Sequence, residues 1–135
     1  MYVIKTEVRD PMASTFEFAC QKTMYGGKNI AKGDPIFIFA SENEGGSGLV
    51  ARGVVASVEA TPRMVGVTRQ TPRVSIAVNR TALAQRELGR TELRQFQNWN
   101  DHRPETELNF KFYRQATNKI GGISSETTRF LDKYF

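Results

Sequence analysis

Few residues in this chain could do chemistry, and their spacing excludes more than it suggests. Cys20 and His102 are its single cysteine and single histidine. Structural and catalytic zinc sites draw several ligands from these two residue types, so no metal is expected. A Ser-His-Asp arrangement would have to use His102. That residue stands among Asn100, Asp101 and Arg103 and reads as a solvated loop histidine. Gly45-Gly46-Ser47-Gly48 lacks the lysine of a phosphate-binding loop and precedes a strand-like segment, not a helix. The acidic pairs Glu42/Glu44 and Glu105/Glu107 have the i, i+2 spacing of solvated loop carboxylates. No catalytic residue and no cofactor is expected.

A binding surface is better supported. Tyr25 stands beside Gly26-Gly27, Trp99 lies within Gln-Asn-Trp-Asn-Asp, and Tyr113 precedes Arg114. Aromatic faces flanked by Asn, Lys and Arg suit a nucleobase, which stacks on the ring and hydrogen-bonds along its edge. Arg52 shares an alternating row with Val50, Val54 and Val58, so it is expected near a barrel mouth or paired inside. The net charge is +5, and the whole excess falls within residues 61–103, where eight arginines accompany three acids. Such a segment fits a polyanion, because neutralising phosphates releases counterions. Arg63, Arg69, Arg73, Arg90 and Arg94 are the candidate backbone contacts.

These residues must be positioned by elements legible in the sequence. Gly33–Ala60 is the clearest. Pro35–Ser41 is a short apolar run rich in Ile and Phe, Glu42–Gly48 is a glycine-rich turn, and Leu49–Val58 returns as a second strand. Tyr2–Glu7 reads as the first strand. Ser14-Thr15-Phe16-Glu17 has the form of a capping box, with Phe16, Ala19 and Cys20 on one face of a short helix. Cys20 then reads as a small core residue. Thr23–Lys32 reads as a loop and Thr61–Pro72 as a long arginine-bearing connection. Val74, Ile76 and Val78 alternate as in a half-buried strand. A short helix capped by Thr91 follows, then an irregular stretch over residues 97–106. Leu108, Phe110 and Phe112 alternate as in a last strand or an extended segment, Gly121-Gly122 interrupts, and Ser124 caps a C-terminal helix.

The total of 135 residues suits one domain, 1–135, of α+β class with a mixed or mostly antiparallel sheet. No apolar run reaches the ~18–20 residues that cross a bilayer. With one cysteine and a strand-like N-terminus, a cytoplasmic location without membrane contact is expected.

Several motifs together resemble the EVE domain of the PUA-like superfamily, which includes the YTH and ASCH domains. They are Lys5-Thr6-Glu7-Val8 at the end of the first strand, Ser14–Glu17, Met24-Tyr25-Gly26-Gly27-Lys28-Asn29, Gly33-Asp34, and Phe39-Ala40-Ser41. The chain departs from the family at Val8, Met24, Lys28 and Ala40, where Pro, Trp, Arg and His are usual. The resemblance implies a pseudobarrel of five or six mostly antiparallel or mixed strands flanked by short helices. It also implies a pocket that reads a modified base in RNA or DNA, formed by Lys5, Thr6, Glu7, Gly26, Asn29 and Ser41. Tyr25, Arg52 and Trp99 complete the candidate ligand set from the residue reading. Two other readings stay open: a small-ligand sensor or enzyme using Lys5, Glu7 or Arg52, and an interaction module with Trp99, Phe112 and Phe135 in one exposed patch.

Overall fold

The computed structural model describes residues 1–62, 65–66, 71–115 and 117–135. Arg63 and Arg69 lie outside the described residues. Six strands close into a barrel in the order β1-β3-β4-β5-β2-β6. They are β1 (Tyr2–Thr6), β2 (Thr15–Met24), β3 (Pro35–Ala40), β4 (Gly48–Ala60), β5 (Arg73–Leu83) and β6 (Lys119–Gly122). The β1/β3 and β2/β6 pairs are parallel and the other pairs antiparallel, so the sheet is mixed.

Two apolar layers hold the fold. Ile4, Phe16, Phe18, Ile36, Ile38, Val55, Ile76 and Val78 fill the barrel. The alternate residues of the same strands, Val3, Phe37 and Phe39, point outward and pack with Leu93, Leu108, Phe112 and Leu131 beneath the helices. Period-two alternation therefore serves two cores at once, which explains why β3 is apolar on both faces. Register shifts in the β2/β5, β3/β4 and β4/β5 pairs curl the sheet. Gly53 sits at one of them, where a Cβ would come within 2.6 Å of the Asn79 carbonyl oxygen.

The helices are α1 (Arg90–Leu93), α2 (Pro104–Leu108), which continues as a π-helical turn over Asn109–Tyr113, and α3 (Ser125–Asp132). Five sequence expectations fail here for physical reasons. Thr15–Met24 is a strand, not a helix: Phe16 and Phe18 alternate inward, and the Ser14 carbonyl accepts from the Arg80 amide in the ladder instead of capping a helix. Cys20 is exposed at a bulge with φ of 52°, not a core residue. Asn109–Tyr113 is helical because Leu108 and Phe112, four apart, both face the outer core, with Pro104 and two acids in the first turn. Gly121-Gly122 belongs to β6. Helix α1 begins at Gly89, whose amide donates to the Glu92 carboxylate at 2.8 Å, so Thr91 is not its cap. Ser124 does cap α3, its hydroxyl accepting from the Thr127 amide. Among the described residues no helix is long and apolar enough to cross a membrane.

Candidate nucleic-acid interface

Strand β2 ends at Met24, and the chain turns through Tyr25 with φ of 52° and Gly26 with φ of 80°. A left-handed backbone is unfavourable for a bulky residue. The Tyr25 carbonyl accepts from the Gly122 amide at 3.1 Å, which ties the turn to β6. The 3-10 turn Gly27–Asn29 then crosses β6 so closely that a Cβ on Gly27 would lie 2.3 Å from the Ile120 carbonyl oxygen. The glycines of β6 have a similar role: a Cβ on Gly121 would meet Phe112 at 3.1 Å and Tyr25 at 3.4 Å.

This turn delivers the Tyr25 ring to Phe110, with centroids 6.4 Å apart, and Trp99 meets the same Phe110 edge-on at 5.5 Å. Three aromatic residues from three separate segments thus form one strip. Its end members stay open to solvent, Tyr25 and Trp99 each 39% exposed. Cations accompany it. The Lys111 ammonium lies 5.3 Å from the Tyr25 centroid, and the Arg114 guanidinium lies 4.3 Å from Phe110 and 5.9 Å from Trp99. A cavity of about 350 Å³ borders one end, with Tyr25, Gly26, Asn29 and Lys111 among its walls. Another of about 320 Å³ borders the other, with Trp99, His102, Arg103 and Phe110. Flat rings beside fixed positive charge can hold stacked bases and their phosphates together.

Lys111 is fixed from below. Its ammonium donates to the Glu107 carboxylate and to the Gly122 carbonyl, each at 2.7 Å. Glu107 also accepts from the Ser124 hydroxyl at 2.7 Å and from the Thr127 hydroxyl. Burial would raise the Glu107 pKa, but hydrogen bonds from Lys111, Thr127 and Ser124 prevail and hold it below the ordinary value. The same carboxylate therefore docks α3 and orients the strip's lysine.

The other candidates stand elsewhere. Lys5 points to the outer layer, 2% exposed, with its ammonium 5.1 Å from the Tyr113 centroid. Burial lowers its pKa, against the pull of Glu42. The Tyr113 hydroxyl donates to Glu42 at 3.2 Å and is itself pushed up by burial. The cavity here, about 20 Å³, is too small for a base. Ser41 is buried, its amide donating to the Thr6 carbonyl at 2.8 Å. Thr6 and Glu7 line a third cavity of about 440 Å³ between β1 and β2. Arg52 lies on the outer face and pairs with Asp132 at 3.0 Å. Phe112 is buried and Phe135 packs on Phe37, so no exposed patch joins them to Trp99. Beside Lys5, cross-strand Lys119 is 1% exposed. Its ammonium donates to the Lys111 carbonyl at 2.8 Å. Burial, then Lys5 and Lys22, push its pKa down to about 8.

The described arginines of residues 61–103 do not converge. Arg73 opens β5 and donates to the Cys20 carbonyl, while Arg90 lies past the other end of that strand and donates to Asn43. Arg80 and Arg86 are likewise turned onto backbone carbonyls. Arg94 is exposed. Of the described arginines of this segment Arg103 alone borders the strip, and the rest of the positive charge there comes from Lys111 and Arg114. Phe110 and Lys111 escape the sequence reading because their segment reads as a strand, and Arg114 enters it only as the neighbour of Tyr113. Pro104 ahead of two acids, with Leu108 and Phe112 at helical spacing, is the signal that would have found them. Among the described residues, no cluster of three or more His, Cys, Asp or Glu is placed to hold a metal ion.

No protein-family profile matches the sequence, and no curated protein matches it. Solved structures do match in shape. The DUF55 domain of human thymocyte nuclear protein 1 is similar at a TM-score of 0.63 and 13% identity, covering 96% of this chain and 94% of that one. A Pseudomonas putida protein is similar at 0.62 and 13%, covering 98% and 97%. Human THYN1 in complex with DNA containing 5-methylcytosine is similar at 0.61 and 13%, covering 96% and 93%. At this identity the likeness is one of fold. The chain shares their fold, an α+β arrangement of a closed mixed barrel with a few short helices that matches the PUA-like pseudobarrel expected from the motifs.

Proposed function

We propose that this protein is a non-enzymatic nucleic-acid-binding module that reads a base, modified cytosine in DNA being the first candidate. The observation that carries the reading is the strip Tyr25–Phe110–Trp99, two of its rings exposed and all three beside Lys111 or Arg114. Exposed aromatic rings beside cations are costly to leave in water and suited to bases. The complex of human THYN1 with 5-methylcytosine DNA, on the same fold, supports the choice of ligand. Tyr25, Trp99 and Phe110 stack bases, Asn29 offers an amide to a base edge in the cavity beside Tyr25, and Arg103 and Arg114 take phosphates.

The test is a binding titration with matched oligonucleotides carrying cytosine or 5-methylcytosine, single- and double-stranded, at 50 and 200 mM salt. With two phosphates neutralised by Arg103 and Arg114, affinity should fall about tenfold across that salt range. Binding to none of the oligonucleotides, or affinity unchanged by salt, contradicts the reading.

A further inference from the structure

The barrel closes through its shortest strand, and that leaves a strand-wide track open between β1 and β2. β6 has four residues. It pairs with Tyr2–Lys5 of β1 and with only Thr23 and Met24 of β2. The ten-residue β2 begins eight residues before Thr23. Over Thr15–Lys22 it is laddered to β5 alone. Strands that flank a common neighbour lie about 9.5 Å apart, twice the interstrand spacing, so the chain that should lie beside this part of β2 has room but does not extend there. The 440 Å³ cavity fills that track, lined by Thr6–Asp10 on one side and Thr15–Ala19 on the other.

The backbone along the track is ready to pair. The Arg80 amide donates to the Ser14 carbonyl, which makes Ser14/Arg80 a hydrogen-bonded antiparallel pair. The in-phase pairs are then Phe16/Val78 and Phe18/Ile76. The N–H and C=O groups of Thr15 and Glu17 therefore point away from β5, into the track, as far as the bulge that follows Phe18. Beyond them the Ala19 carbonyl accepts from the Gln21 side chain at 2.9 Å. Glu17 and Ala19 are exposed. An open edge of this kind recruits another strand unless it is blocked; no lysine or proline blocks it between Thr15 and Phe18, and the bulge after Phe18 sets where pairing ends.

The lining selects the occupant. Phe16, Phe18 and Ala13 give the track an apolar floor, and Glu7, Asp10 and Glu17 against Arg9 give it a negative rim on a protein of net charge +5. A phosphate backbone is disfavoured there and a basic chain favoured. We infer that the β1–β2 track is a docking site for an extended basic peptide, which pairs with the free edge of β2 and alternates small apolar residues inward with Lys or Arg outward. This rests on the sheet edge and its charge, independently of the nucleic-acid reading.

The experiment uses the full chain and an acetylated, amidated hexapeptide, Lys-Val-Arg-Val-Lys-Val, followed by amide hydrogen exchange and chemical-shift mapping. Saturating peptide should slow exchange at the Thr15 and Glu17 amides at least tenfold and leave Tyr25 and Trp99 unperturbed. Glu17→Lys changes only an exposed side chain. It should weaken the basic peptide at least tenfold and strengthen one with Glu at the basic positions. Peptide protection elsewhere, equal affinity for wild type and Glu17→Lys, or protection of Thr15 and Glu17 by a single-stranded oligonucleotide in place of the peptide overturns the inference.

Discussion

Strand β2 carries an aromatic pair at its start and delivers a third aromatic just past its end, and the two are put to different uses. Phe16 and Phe18 stack in parallel at 5.8 Å inside the barrel, each 6% exposed. Tyr25 joins Phe110 and Trp99 on the surface, with rings tilted to one another and cations within about 6 Å. The first set is apolar mass that closes a core. The second leaves its rings in water next to Lys111 and Arg114. Aromatic content therefore does not mark a binding surface in this fold. Under the proposed function, exposure beside positive charge does, and here it comes with a left-handed backbone at Tyr25.

That contrast can be broken at either end. The largest effect belongs to the core: Phe18→Ala should cost about 3–5 kcal/mol of stability in urea unfolding. The folded fraction should keep its oligonucleotide affinity within twofold. Loss of affinity by fully folded Phe18→Ala would mean that the two aromatic sets are not independent.

Next comes the carboxylate beneath the strip. Glu107→Gln should lose about 1.5–3 kcal/mol at neutral pH, the range for hydrogen bonds to a charged group. Because its partners depress the Glu107 pKa, the wild-type contribution is complete above the unfolded carboxyl pKa of about 4.3 and disappears as pH falls through the lower folded value. Unfolding measured from pH 7 to 2.5 should show this acid loss in the wild type and a flatter profile in the variant. Identical profiles would remove Glu107 as the staple between α3 and Lys111.

At the strip itself, Trp99→Ala should cost about 1–3 kcal/mol of oligonucleotide affinity, the worth of one stacked base. Stability should fall by only about 0.5–1.5 kcal/mol, the worth of its edge contact with Phe110. A stability loss with unchanged binding would reclassify Trp99 as a packing residue like Phe18.

The smallest effect concerns buried Lys119, whose pKa lies near 8. A lysine depressed by burial is held charged at a cost below that value. Unfolding then releases the constraint, so wild-type stability should rise between about pH 8 and 10. Lys119→Met should reduce the rise, leaving the part that buried Lys5 contributes, and gain roughly 1 kcal/mol at pH 7. A destabilised variant would show that the charge itself holds the Lys111 carbonyl.

The sequence made the Gly33–Ala60 hairpin legible because its apolar run, its glycine turn and its return strand all agree. It also made Ser124 legible as a cap and Tyr25 and Trp99 as aromatics out of place. Two errors share one cause. The segments 15–24 and 108–113 carry apolar residues at spacings that suit both a strand and a helix, and local motifs decided wrongly: Ser14–Glu17 imitates a capping box, and Leu108-x-Phe110-x-Phe112 imitates a strand. Tertiary packing resolves each case, since the barrel needs Phe16 and Phe18 on one side of β2, and the outer layer needs Leu108 and Phe112 one helical turn apart. The arginine count misled for a different reason. Composition does not reveal that Arg73, Arg80 and Arg86 are turned onto backbone carbonyls.

Trp99 is the only tryptophan in the chain, so its fluorescence reports on the strip alone. Titrating the protein with a 5-methylcytosine oligonucleotide should quench that emission saturably, and the midpoint should move about tenfold between 50 and 200 mM salt. Oligonucleotide binding that leaves Trp99 emission unchanged, or no binding across that titration, would contradict the assignment of the strip as the nucleic-acid interface.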